Sequence, residues 1–217
     1  MIPLLRYLAA DALRSQQWAA PVLLFLAAVA IIAPPNSSPL VPTMTMSAAA
    51  LFPAVLWLTV VVNHSEDPVQ TRITGVTAGG PARVRSAKLV TAYLGCVPLA
   101  GVALTWTATT ASERVTGPLL AFGAAEHLLT ALAGVVLGAL VSRPLLNRAG
   151  WTVLAGVGLC LVQLLVPHVP PVHPLLQAFA DHPVPNPWPV LAVTAGETVL
   201  LAAVAITAAH LVARSRT

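Results

Sequence analysis

Residues 64–88 read HSEDPVQTRITGVTAGGPARVRSAK and form a long polar interruption between two apolar runs. Each flanking run, 46–63 and 89–110, is uncharged and about 18 residues or longer, which is enough to cross the hydrocarbon core of a bilayer as a helix. The segment also carries four of the positive charges of the chain. The sequence therefore predicts two membrane-spanning helices joined by a polar segment on the positively charged side of the membrane.

The composition of the whole chain supports the same class of protein. Of 217 residues, 57% are hydrophobic and only 8% are charged, and the mean hydropathy is +0.84. A soluble domain of this size needs more charge to cover its surface. The two cysteines, Cys96 and Cys160, lie separately in apolar runs, so the sequence offers no disulfide, zinc or redox motif and both are interpreted as packing residues.

We predict an all-α membrane protein with six transmembrane helices, preceded by an interfacial helix over residues 3–16. That helix, PLLRYLAADALRSQ, places its leucines on one side and its charges on the other. A plain cytosolic extension of the first span is the alternative. Residues 1–217 form a single transmembrane domain, with spans at about 17–33, 46–63, 89–110, 119–141, 151–166 and 190–212, a cytoplasmic segment at 64–88 and an outer cap at 167–189.

The positive charges predict the orientation of these spans. Ten of the eleven arginines and lysines fall on the side of the two termini, and only Arg114 falls on the other side. Positive residues accumulate on the cytoplasmic side of membrane proteins, so both termini are predicted to be cytoplasmic. The net charge of +4 is explained by orientation and indicates no nucleic-acid partner. We expect a multi-pass protein of a bacterial-type plasma membrane.

The polar segment itself predicts a short helix. Ser65 is a candidate N-cap, followed by Glu66, Asp67 and Pro68 in a first turn that accepts acids and proline. Gly79-Gly80-Pro81 predicts its end. Three apolar residues recur along one side at four- and three-residue spacing, which favours docking into a groove on another protein; they are Val69, Ile73 and Val76. The alternative is packing against the protein's own spans or against lipid headgroups.

The layout resembles the membrane subunit of a type-two ATP-binding-cassette exporter, the class that includes drug-, polysaccharide- and haem-export-like permeases. The features that carry the resemblance are the flat amino-terminal helix, six spans, and an acidic start, short helix, Gly/Pro turn and basic run between spans two and three. The resemblance is strongest in residues 52–89, FPAVLWLTVVVNHSEDPVQTRITGVTAGGPARVRSAKL. The resemblance implies that the segment 64–88 contains a coupling helix that docks on a separate nucleotide-binding ATPase subunit at residues 65–80, with contact residues Ser65, Glu66, Asp67, Val69, Arg72, Ile73 and Val76.

The same resemblance implies the cofactors and partners. The chain has no G-x-x-x-x-G-K-[ST] motif, and Lys88 is its only lysine, so ATP and Mg²⁺ are expected on the partner and no cofactor or metal in this chain. A second six-span permease, identical or homologous, would complete the pathway. The expected function is ATP-driven export of a lipophilic or amphiphilic substrate by alternating access; the chain itself is a transporter subunit, with no catalytic residues.

Glu126, His127 and Glu197 are ionisable residues that lie inside predicted spans. Glu126 and His127 are in the fourth span and Glu197 in the sixth, and both carboxylates lie about 10 Å below the same membrane face at a rise of about 1.5 Å per residue. Charged groups rarely face lipid, so the three residues are predicted to line a substrate pathway or to form helix–helix hydrogen bonds. A self-contained proton-coupled transporter or channel using them is the alternative function. His168, His173 and His182 in the outer cap match no metal-ligand spacing.

Two further classes of function remain. An intramembrane enzyme has the least support, because the spans contain neither H-E-x-x-H nor G-x-S-x-G. A regulatory or scaffold membrane protein would have a similar sequence. A secondary transporter is disfavoured because the two halves show no evident repeat and no paired Gly/Pro interruptions.

Overall fold

The structure is a computed structural model that describes residues 1–35, 39–143, 145–146, 148–180 and 186–214. Within these ranges the chain is all-α and forms nine helices: α1 (Ile2–Arg14), α2 (Ala19–Ile32), α3 (Leu40–His64), α4 (Pro68–Thr77), α5 (Pro81–Thr110), α6 (Gly117–Leu140), α7 (Ala149–Leu165), α8 (Val172–Ala180) and α9 (Trp188–Arg214).

Helix α1 is the amphipathic helix that the sequence predicts. Its apolar side packs onto the bundle, with Leu8 and Ala12 buried. Gln16 adopts a left-handed conformation, with φ of 55°, and the chain bends by 80° into α2. The bend allows α1 to lie across the end of the bundle while α2 runs along α3 and α5.

Helix α3 is the centre of the bundle and contacts α1, α2, α5, α6, α7 and α8. Its closest neighbour is α6, because glycines remove the side chains where the two helices cross. A Cβ atom on Gly138 would lie 2.8 Å from the carbonyl oxygen of Leu56, and one on Gly134 would lie 2.9 Å from Val55. The four-residue spacing of Gly134 and Gly138 thus allows α3 and α6 to pack closely.

Helix α3 also starts six residues before the predicted span. Pro39 is extended and precedes the first turn, and Pro42 is tolerated there because the missing N–H group would have no intrahelical acceptor. Leu40 and Met44 are fully buried, so this added turn belongs to the core. Likewise, α5 begins at Pro81 and continues the basic run as helix into the predicted span.

Helix α8 lies in the segment predicted to form the outer cap, of which residues 181–185 lie outside the described ranges. Its apolar side is buried rather than merely interfacial: Val172, Leu175 and Phe179 are almost inaccessible. Phe179 packs on Phe122 of α6 with ring centroids 4.5 Å apart. The side chain of Gln163 in α7 donates to the carbonyl of Pro170 and accepts from the N–H of Val172, which fixes α8 to α7.

The helix lengths define how many segments can cross a membrane. Four helices are long and apolar enough, namely α3, α5, α6 and the part of α9 from Trp188 to Ala208, and the bent pair α1–α2 makes a possible fifth. Helix α7 is apolar but has only 17 residues. The described structure therefore supports an all-α multi-pass membrane protein with four to five candidate spans, in place of the six that the sequence predicts.

Candidate functional site: helix α4 and its attachment to the bundle

The N-cap of helix α4 lies two residues after the one that the sequence predicts. Asp67 is the cap, and its Oδ1 accepts the backbone N–H groups of Val69 at 2.7 Å and Gln70 at 2.8 Å. Ser65 instead follows the last residue of α3, and its hydroxyl donates to the carbonyl of Val62. The prediction of a Ser65 cap was wrong because Asp67 stands directly before the proline that starts the helix, where a carboxylate reaches two free N–H groups.

The predicted end of α4 is confirmed. Gly79 and Gly80 have φ values of 86° and 129°, a left-handed region that other residues rarely adopt. The chain reverses there and enters α5 at Pro81, which lies 3.9 Å from the position of a Cβ atom on Gly75. The glycines thus fold α4 back beside the start of α5.

One side of α4 presents an apolar surface that the described chain leaves uncovered. Val69, Ile73 and Val76 are 64%, 62% and 84% exposed, and we call these three residues the α4 stripe. Arg72 is also exposed beside them. Packing of this segment against the protein's own spans was one alternative that the sequence left open. In the described ranges the α4 stripe is instead exposed.

The opposite side of α4 is fixed to the bundle by a buried ion pair. Glu66 Oε2 lies 2.8 Å from Nζ of Lys88 in α5, and both side chains are almost fully buried. The hydroxyl of Thr74 donates to the other carboxylate oxygen at 2.8 Å. Gln70 donates to the Tyr7 hydroxyl in α1. We call this set of contacts the α4 anchor.

The electrostatics of the α4 anchor favour a charged Glu66. Burial by itself would raise the pKa of this carboxyl, but the hydrogen bond and the charge of Lys88, with hydrogen bonds from Thr74 and Tyr7, outweigh burial and lower the pKa below its ordinary value of 4.5. The backbone carbonyl of Glu66 also accepts from Arg143, which follows α6, at 3.4 Å. Four helices therefore meet at this residue: α3, α4, α5 and α6.

Lys88 is the site residue that sequence reasoning missed. The structure buries it against Glu66, which lies 22 positions earlier in the chain. One signal was available in the sequence: Lys88 is the only lysine, and Glu66 is an acid directly after an apolar span. Of the predicted contact residues, Glu66 faces the bundle. Asp67 is the N-cap of α4 and Ser65 the C-cap of α3, whereas the α4 stripe and Arg72 face outward.

Glu126, His127 and Glu197 differ in their surroundings. Glu126 and His127 are fully buried in α6, whereas Glu197 in α9 is partly exposed. No hydrogen bond or ion pair joins Glu126 to Glu197, both of which are described. These residues do not line the cavities beside α1, between α2 and α3, or between α5 and α9.

His127 makes a helix–helix hydrogen bond of the kind predicted as an alternative to a pathway role. Its Nδ1 lies 2.7 Å from the carbonyl oxygen of Gly123, so Nδ1 carries a proton. Its Nε2 lies 3.0 Å from the hydroxyl of Ser47 in α3. Glu126 has Thr45 of α3 beside it, but neither carboxyl oxygen makes a hydrogen bond with the described residues.

No cluster of three or more histidine, cysteine or acidic residues forms a possible metal site among the described residues. His182 lies outside them. Cys96 is buried in α5 and Cys160 is partly buried in α7, and both are free thiols. Their surroundings are apolar, as expected for packing residues.

Comparison with known proteins yields no relative: no family model, no curated protein and no solved structure matches this chain. The function of the protein is therefore inferred from its fold and from the geometry of α4.

Proposed function

We propose that this protein is the membrane subunit of an ATP-driven exporter, in which α4 is the coupling helix. One observation carries the proposal: α4 is fixed to the bundle on one side while three large apolar side chains project from the other. A short helix with exposed aliphatic residues at four- and three-residue spacing suits a groove on a second protein. Such a surface is costly to leave in water.

The proposal extends the four to five candidate spans to six. Helix α2, with 14 residues, and helix α7, with 17, are about 21 Å and 25 Å long, so each would cross with help from flanking residues and local thinning of the bilayer. If the spans alternate in direction, the second and fourth spans end on the same side of the membrane. The described contacts agree with this, because Asn63 at the end of α3 donates to Ser142 after α6, at 2.9 Å. With six spans, both termini lie on the side of α4, which is the positively charged and hence cytoplasmic side.

The α4 anchor provides a route for mechanical coupling. A push on the α4 stripe would be passed through Glu66 to Lys88 in α5 and through the backbone to α3, because the ion pair and the Thr74 hydrogen bond hold α4 in one orientation. Binding energy from a partner can shift a bundle only if the docking element is rigidly attached to it. In this proposal ATP and Mg²⁺ bind to the partner, a second six-span subunit completes the pathway, and the substrate is lipophilic or amphiphilic.

The test is co-purification of the tagged full-length chain with a P-loop ATPase from its native host. Wild-type protein should retain a subunit that hydrolyses ATP, and Ile73→Asp should lose it, because a buried carboxylate without a partner costs several kcal/mol at an interface. Thr116→Asp is the matched control, since it adds the same charge before α6, where aspartate is a good N-cap. Retention of the ATPase by the Ile73 variant, or equal loss in the control, would exclude α4 as the docking element.

A proton-coupled secondary transporter is the second candidate, and Glu126 is the observation that favours it. A fully buried carboxyl without a hydrogen bond is a common feature of proton-carrying sites in membranes. This function requires flux by the purified chain alone in proteoliposomes under a pH gradient, abolished by Glu126→Gln. The exporter proposal predicts no flux in that preparation until the ATPase is added.

A further inference from the structure

A small cavity lies between the ends of four helices on the same side of the bundle as α4. Its volume is about 100 Å³. Two arginines line it, Arg85 from the second turn of α5 and Arg143 from the segment after α6, together with Asn63 at the end of α3. The cavity therefore brings two positive charges and an amide group into one recess.

Neither arginine has a carboxylate partner within the described residues. The single ion pair found there uses Glu66 and Lys88, and the Oδ1 atom of Asp67 is occupied by the N–H groups of α4. Arg143 donates from Nη1 to a backbone carbonyl at 3.4 Å, which leaves the other donors of its guanidinium available. Two partly buried guanidinium groups without an anion repel each other, so an anionic ligand would stabilise this end of the bundle.

Apart from Ser86, the remaining wall of the cavity is apolar, and it leads to the outer surface of the bundle. Leu89, Val136, Ala202 and Ala205 line it, and Ile206 of α9, which is 51% exposed, forms its edge. A free anion would gain nothing from this wall, whereas an acyl chain could follow it from the arginines to the bilayer.

We propose that this cavity binds the phosphate of an anionic phospholipid between Arg85 and Arg143, with one acyl chain along the apolar residues of α9. Basic recesses between transmembrane helices on the cytoplasmic side are suited to such headgroups, and arginine binds phosphate through paired hydrogen bonds. The site requires only that the bundle lies in a membrane and does not depend on transport. The lipid would join α3, α5, α6 and α9 directly beneath the α4 anchor.

The test is native mass spectrometry of the full-length chain titrated with dilauroyl phosphatidylglycerol or dilauroyl phosphatidylcholine. Wild-type protein should retain one phosphatidylglycerol more tightly than phosphatidylcholine. Each of Arg85→Gln and Arg143→Gln should weaken that affinity about five-fold, since one arginine near an anionic surface contributes about 1 kcal/mol and 1.4 kcal/mol is ten-fold. Arg83→Gln is the matched control: it removes the same charge two residues away, from an exposed side chain outside the cavity, and should leave the affinity unchanged.

Two further arms distinguish a lipid from a free anion and from a folding defect. Ala202→Phe fills the apolar wall and should abolish phosphatidylglycerol binding with both arginines intact, while a large excess of inorganic phosphate should not displace the lipid from wild-type protein. Arg143→Lys keeps a charge and should retain a preference for phosphatidylglycerol, which separates loss of charge from loss of fold. Equal binding of the two lipids, equal loss in the Arg83 variant, or displacement by phosphate would overturn the proposal.

Discussion

Replacement of Lys88 by methionine should destabilise the protein by leaving Glu66 buried without a counter-ion. Removal of one partner of a buried ion pair costs about 3–5 kcal/mol. Here we expect about 2–3 kcal/mol, because the 2.8 Å pair lies at the end of the bundle beside exposed α4, where water can reach the carboxylate after a small movement. For a chain of this size 1 kcal/mol corresponds to about 2–4 °C, so the unfolding temperature should fall by about 5–10 °C.

The assay is thermal unfolding in detergent, followed by tryptophan fluorescence, for Lys88→Met, Glu66→Met and the double variant. Replacing both charges with apolar side chains removes the unpaired charge, and the double variant should therefore recover at least half of the loss. Arg83→Met, an exposed charge on the same helix, should change stability by less than about 0.5 kcal/mol. Single variants that melt with wild type, or a double variant that shows the sum of two losses, would refute the structural role assigned to the pair.

Three further predictions concern stability. The pKa of Glu66 is lowered in the folded protein, so its ion pair stabilises the fold fully above pH 4.5, and this contribution is lost as the pH falls through the lower pKa of the folded state. The difference in melting temperature between wild type and Glu66→Gln should therefore be constant from about pH 7 to pH 5 and should shrink in stronger acid. Gly138→Ala should cost about 1–3 kcal/mol, because its Cβ would lie 2.8 Å from a backbone oxygen of α3, whereas Gly101→Ala, where the same atom meets nothing within 4 Å, should be neutral or stabilising in the same melting assay. Ser47→Ala removes the hydroxyl that faces the buried imidazole of α6 and should cost about 1–3 kcal/mol; a melting temperature equal to wild type would show that this contact contributes nothing.

Local patterns were sufficient to predict the helices. The amphipathic order of α1 and the Gly-Gly-Pro end of α4 each depend on neighbouring residues, and both are present in the structure. Boundaries were less accurate. Helix α3 begins at Leu40 because proline is compatible with a first turn. Helix α2 has 14 residues where the predicted span 17–33 has 17, whereas α7 has 17 residues and is one residue longer than the predicted span 151–166.

The parts of the site that sequence reasoning missed all depend on contacts between distant positions. Lys88 is paired with Glu66 across the ten residues of α4 and a reversal of the chain. Arg143 lies beside them because α3 and α6 pack closely at the glycines of α6. Periodicity places a residue on one side of a helix but does not say which helix covers that side. For the α4 stripe the pattern was informative because no described helix covers it.

The central claim is that the α4 stripe contacts an ATPase, and a photoreactive residue at Ile73 tests it most directly in intact membranes of the native host. Irradiation should join this chain to a subunit that carries a G-x-x-x-x-G-K-[ST] motif, and the yield should change when nucleotide is trapped on that subunit. A photoreactive residue at Thr116 should not form this product. Adducts with lipid or with a second copy of this chain alone, or an equal yield from the two positions, would contradict the account.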